Sequence, residues 1–179
     1  MSETSKEIIE TAINELKKTA IDKNDTSKHP EIQRVVALCE EELGVVAEDI
    51  INGDTSAVAY HLLLLEWLGE LHAMQNKMYE AARLYLEPAL MQCSLTFDGA
   101  AKSRKGRILS KLGICYAELG ETAKAKSHFL KSLEIHTQLN EEDGIQTVNE
   151  CLRILEAVEN GAVTSGHFFK TTTPHSDSE

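Results

Sequence analysis

Shifted along itself by 44 residues, this chain matches itself, and that match constrains the fold more than any other feature. Leu65 falls on Leu109, Leu68 on Leu112, Gly69 on Gly113 and Ala73 on Ala117. His72 falls on Tyr116, Ala81 on Ala125, Tyr85 on Phe129 and Leu86 on Leu130. Gln75-Asn76 and Leu119-Gly120 put a turn at the same place in both copies. Each copy therefore reads as a helix, a tight turn and a second helix. Self-similarity at a fixed period is the mark of supersecondary units that bury their apolar faces on one another. A glycine inside a helix costs about 1 kcal/mol relative to alanine, so Gly69 and Gly113 are expected where a neighbouring helix must come close. Ala81 and Ala125 are expected to do the same from the second helix, with Leu65, Leu68 and Tyr85 filling the space between turns.

The rest of the chain also carries a helical period. Ile9, Ile13, Leu16 and Ala20 share one face of a helix near 5–20. His29-Pro30 opens another over 31–52, since proline suits a first turn. Gly53 is placed to close it in the left-handed conformation, and Asp54, Thr55 or Ser56 to cap the next. Further helices are expected over 57–73, 78–94, 100–119, 122–138 and 145–158. The run Asn140-Glu141-Glu142-Asp143-Gly144 is read as a loop rich in caps. Aromatics are 5% of the 179 residues, too few for a fold built on strands. The expected fold class is all-α: an α-α superhelix of helical hairpin repeats. Residues 1–55 form an N-terminal helical pair, a degenerate repeat or an added hairpin. Residues 56–159 hold the repeats and a capping helix, and 160–179 a disordered tail in which only Phe168 and Phe169 stand out.

Leu112-Gly113, Tyr116, Ala125 and Phe129 follow a spacing that resembles the tetratricopeptide repeat. The copy Leu68-Gly69, His72, Ala81 and Tyr85 keeps it, with histidine at the tyrosine position. The resemblance covers residues 62–138. It departs from the family in its 44-residue period, in Pro88 and Ser132 where a second small alanine is usual, and in lacking the closing proline. In period it is similar to the long variants of kinesin light chains and of LGN-type and rapsyn-type adaptors. The resemblance implies a concave groove lined by the first helix of each pair. Leu63, Glu66, Glu70, Ala73 and Met74 would face it in the first copy, with Trp67 beside them. Arg107, Ser110, Ile114, Ala117 and Glu118 would face it in the second, with Lys111 at the margin. It implies a non-enzymatic adaptor holding a peptide or helix of a partner protein. Glu66 and Glu70, four residues apart on one helical face, would repel an acidic chaperone tail, so that use of the family is disfavoured.

No catalytic constellation emerges from the residues, and no cofactor is expected. Gly99-Ala100-Ala101-Lys102-Ser103 lacks the glycine of a phosphate loop, and Asp22-Lys23-Asn24-Asp25 lacks the glycine and closing acid of a calcium loop. The seven histidines show no metal spacing. Cys39, Cys93, Cys115 and Cys151 sit in apolar helical patterns and are expected to be free core thiols. His72 is expected to be a satisfied core residue.

The net charge of -11 argues against general nucleic-acid binding. Yet eight basic residues lie between Lys102 and Lys131, opposed by Glu118 and Glu121 alone. That stretch reads either as a docking patch for an acidic partner or as a solvated face; an RNA or anionic-lipid surface is the third reading. The sequence has no run of 18 apolar residues, so no membrane span is expected. The polar N-terminus lacks the features of a signal peptide, so a cytoplasmic location is expected. A structural subunit of a homo- or hetero-oligomer is the alternative to the adaptor.

Overall fold

The structure is a computed structural model of the chain and describes residues 3–18, 29–94 and 99–162. Among these there are seven helices and no strand, so the all-helical expectation holds. They are α1 (Glu3–Lys18), α2 (His29–Ile51), α3 (Val58–Met74), α4 (Met78–Cys93), α5 (Gly99–Glu118), α6 (Thr122–Leu139) and α7 (Glu142–Glu159). The polar loop at 22–27 and the tail from 163 onward lie outside the described residues. None of the helices is long and apolar enough to cross a membrane.

The chain divides into two compact units, residues 1–89 and 90–179. The first hairpin belongs to the first unit as far as Ala89 in α4, and the second hairpin lies in the second unit. Within the first unit α2 packs against both α1 and α3. In the first unit the α1 stripe of Ile9, Ile13 and Leu16 is buried together with Ile32, Val35, Val36, Cys39 and Val46 of α2 and Tyr60, Leu64, Trp67, Leu68 and Leu71 of α3. Fully burying one such aliphatic side chain stabilises by about 1.5–3 kcal/mol. In the second unit α5, α6 and α7 pack pairwise. Their buried residues include Ile108, Leu112, Cys115 and Tyr116 of α5, Phe129 of α6, and Val148, Cys151 and Leu155 of α7.

Turn chemistry sets the spacing. Asn76 (φ 61°) and Gly120 (φ 77°) stand 44 residues apart, both left-handed. In each turn the residue after them donates its N–H to the carbonyl five residues back: Lys77 to His72 at 2.9 Å and Glu121 to Tyr116 at 2.8 Å. Asn140 (φ 55°) closes α6 in the same way, with Glu141 N–H bonded to the His136 carbonyl at 2.9 Å. Gly53 ends α2 at φ 99°, and Asp54 accepts the Ser56 N–H at 2.9 Å, as a capping side chain should.

The glycines do admit close neighbours. A Cβ at Gly69 would come within 2.6 Å of the Leu86 side chain, and one at Gly113 within 2.5 Å of the Phe129 ring. These partners are not 44 residues apart, since Phe129 follows Leu86 by 43. The cause is a π-helical turn at Ala81–Leu86 in α4, where Glu87 N–H reaches the Ala82 carbonyl. A π turn accommodates one extra residue. Pro88 lacks the N–H that would have met the Leu84 carbonyl and crowds that group, so a widened turn suits it. The pairing of Tyr85 with Phe129 and of Leu86 with Leu130 is therefore corrected: from the end of the π turn onward, Tyr85 answers to His128, Leu86 to Phe129 and Ala89 to Ser132. Ala89 and Ser132 are both fully buried. The second small residue sought at Pro88 is Ala89.

With that register a second correspondence appears. His72 on α3 lies against Tyr85 on α4, ring centroids 4.7 Å apart. In the second unit Tyr116 on α5 stacks on His128 of α6 at 5.4 Å. The histidine and tyrosine have exchanged helices.

Candidate functional site

A cleft lies wholly within the second unit, between one face of α5 and the start of α7. Its volume is about 590 Å³. Ser103, Arg107, Ser110, Lys111 and Ile114 line it from α5, spaced to fall on one helical face. The opposite wall is Glu141 with Glu142, Asp143, Gly144, Thr147 and Val148, and His136 reaches in from the end of α6. Ser110, His136 and Val148 are buried and form the floor, with Ile114 partly covered. Arg107, Glu142, Asp143 and Thr147 are exposed along the rim. One wall is thus cationic, the other acidic, and the floor mixes apolar and hydrogen-bonding groups. Glu142 and Asp143 sit in the first turn of α7, where the helix dipole favours negative charge.

His136 organises the base of this cleft. Gly106 and Gly144 flank its ring: a Cβ on Gly106 would lie 2.9 Å from it, and one on Gly144 2.5 Å. Only the absence of those side chains lets the imidazole enter. Its Nδ1 meets Glu141 Oε2 at 2.6 Å, closing the α6–α7 turn a second time beside the main-chain bond. One turn earlier, Ser132 donates its hydroxyl to the Gly106 carbonyl at 2.7 Å, tying α6 to α5.

Glu141 is not a helix cap, although it occupies the cap position: its side chain makes no capping bond. The carboxylate instead accepts from Ser103 and His136. The Ser103 hydrogen bond first, then that from His136, with the charge of Arg107 adding, hold its carboxyl below the ordinary value of 4.5. A carboxyl depressed by folding contributes stability above its ordinary value and loses it as the pH falls through the lower folded value. Glu141→Gln is therefore expected to lower the urea midpoint at about pH 7, with the difference from wild type shrinking as the pH falls below the ordinary carboxyl value of 4.5. An undiminished gap in acid would contradict this assignment.

The expected groove residues separate into two groups. Arg107, Lys111 and Ile114 come together in the cleft, as does Ser110. Glu118, farther along α5 and partly buried, is not among its lining residues. Leu63, Glu66, Trp67, Glu70 and Met74 belong to the first unit. There Trp67 is a core residue, 7% exposed, and Leu63 and Met74 pack against the same cluster. Glu66 is buried at 4% exposure and Glu70 partly so. The face of α3 carrying Trp67 shares its core with α1 and α2, so it offers little surface to a ligand. His136, Glu141 and Gly144 had no motif to announce them. Their meeting depends on Gly106, thirty positions away from His136 in sequence.

The remaining titratable groups read as structure. All four cysteines are buried and free. Burial pushes the Cys39 and Cys151 thiols up to about 12, with the neighbouring Glu40 and Glu150 adding to it. His72 is a core residue, yet neither ring nitrogen makes a hydrogen bond among the described residues. Burial, then Lys77, moves its pKa down, against the pull of Glu40. Glu40 instead accepts the Tyr85 hydroxyl at 2.8 Å. Among the described residues, no three His, Cys, Asp or Glu side chains are placed to hold a metal ion.

Compared with known proteins, the chain matches no protein-family model, no characterised protein and no solved structure.

Proposed function

We propose that this chain is a non-enzymatic interaction module, a tetratricopeptide-like adaptor that holds a segment of a partner protein in a helical groove. The seat of that contact is the cleft between α5 and α7. The single observation that carries the reading is the pairing of opposite charges across one cleft: Arg107 and Lys111 face Glu142 and Asp143 over a floor containing Val148. Such an arrangement orients an occupant by charge and holds it by burial. Two hairpins that each set an inner glycine against a large side chain of the second helix support the repeat architecture.

Arg107→Glu combined with Lys111→Glu tests the reading. Both positions lie at the cleft and outside the buried core, so helicity by circular dichroism is expected to stay unchanged. Capture of the partner from a cell extract is expected to fall at least about tenfold, which corresponds to about 1.4 kcal/mol of binding free energy. Capture that survives the double substitution refutes the role assigned to the cleft.

A further inference from the structure

On that reading of the cleft, we infer that its occupant is a short extended segment in which an acidic, an apolar and a basic residue follow one another. Volume is the first reason. A cleft of about 590 Å³ is of the size that encloses a compact ligand. It takes a few residues of a chain, not a docked helix about 10–12 Å across.

The second reason is the direction in which the charges point. Arg107, whose charge also acts on Glu141, and Lys111 are one helical turn apart on α5 and make that wall of the cleft cationic, which suits a negative group of the occupant. Glu141 is already engaged by Ser103 and His136. The acids presented to a ligand are therefore Glu142 and Asp143 on the rim of α7. Val148 and Ile114 lie between the two walls and take the apolar side chain, with the Ser110 hydroxyl and His136 beside them on the floor. A ligand of one sign satisfies one wall and is repelled by the other, so the cleft rejects uniformly acidic and uniformly basic segments.

The third reason is the number of sides. An extended chain in the polyproline II conformation has three residues per turn. Successive side chains then point about 120° apart, one to each wall and one to the floor. Backbone groups of such a segment remain unpaired internally, and the Ser110 hydroxyl lies on the floor beside them.

Four short fluorescein-labelled peptides test this against the full chain by fluorescence polarisation. They carry Asp-Leu-Lys, Asp-Leu-Asp, Lys-Leu-Lys or Asn-Leu-Gln between identical flanks. The mixed-charge peptide is expected to bind at least about tenfold more tightly than the other three, and to weaken as salt is raised. Arg107→Glu with Lys111→Glu makes both walls acidic, so the preference is expected to switch to Lys-Leu-Lys. A misfolded variant cannot gain a new preference, which separates recognition from damage. Equal binding of all four peptides, or an unchanged ranking in the variant, overturns the inference. If the ranking fails while the double variant still loses its cellular partner, the interaction module stands without this specificity. If the variant loses neither peptide nor partner, both fall.

Discussion

Phe129→Ala is expected to cost the second unit about 3–5 kcal/mol. Phe129 is fully buried and fills the place that Gly113 leaves open. Removing the ring takes away its transfer free energy and leaves a cavity between α5 and α6 that the glycine cannot fill. The complementary change is Gly113→Ala. Its new Cβ would sit 2.5 Å from the ring, a distance that real side chains do not tolerate. Overpacking of this kind costs about 1–3 kcal/mol. The two costs are not independent, since each substitution acts on the other's space. Gly113→Ala in the Phe129→Ala background is expected to cost nothing or to recover stability, giving a coupling of at least about 1 kcal/mol. Urea unfolding followed by circular dichroism on the four chains of this cycle measures it. Additive losses would mean that the glycine serves something other than the ring.

The second large effect concerns a deletion. Removing Ser127 from α6 turns every later residue of that helix by about 100° relative to what precedes it. Phe129, Ser132 and His136, all buried, would leave their sites. The loss is expected to exceed about 5 kcal/mol and to abolish cooperative unfolding of the second unit. Removing Leu84 from α4 is expected to behave differently. Leu84 lies in the π turn and is exposed. Its loss converts the wide turn to a regular one and leaves Leu86 and Ala89 on the faces they now occupy. Pro88 opposes the regular turn, so the fair comparison pairs the deletion with Pro88→Ala. That chain is expected to stay within about 1 kcal/mol of the parent. If both deletions unfold the chain alike, the π turn is not an inserted residue in an otherwise regular hairpin.

These cases mark what could be read from residue order. Helices were legible throughout because the apolar residues recur at helical spacing, and the hairpin turns because Asn76 and Gly120 stand at matching points. The 44-residue register was legible up to Ala81 and Ala125. Beyond them a wide turn altered the count without leaving a pattern of its own. Pro88 was the one local sign, and it read as a departure in place of a small residue. The candidate site was half legible. Arg107, Lys111 and Ile114 share a helical face, and periodicity suffices to place them together. The acidic wall was visible only as a loop with many caps, since nothing local to Glu141 shows that its carboxylate turns to His136 and Ser103. Trp67 shows the opposite limit. A resemblance placed it beside a groove, but helices α1 and α2 share their core with it. Which face of a helix is open depends on what else packs there, and that is not written in the helix.

The four enclosed thiols have one more consequence. All four are buried, and Cys39 and Cys151, pushed up to about 12, hold almost no thiolate at neutral pH in the closed chain, so an alkylating reagent finds little to attack. Labelling then proceeds only through transient opening. Cys39 reports on the first unit, and Cys115 and Cys151 on the second. The molecule thus carries its own stopwatch for breathing, one hand in each half, readable by mass spectrometry without any engineered probe.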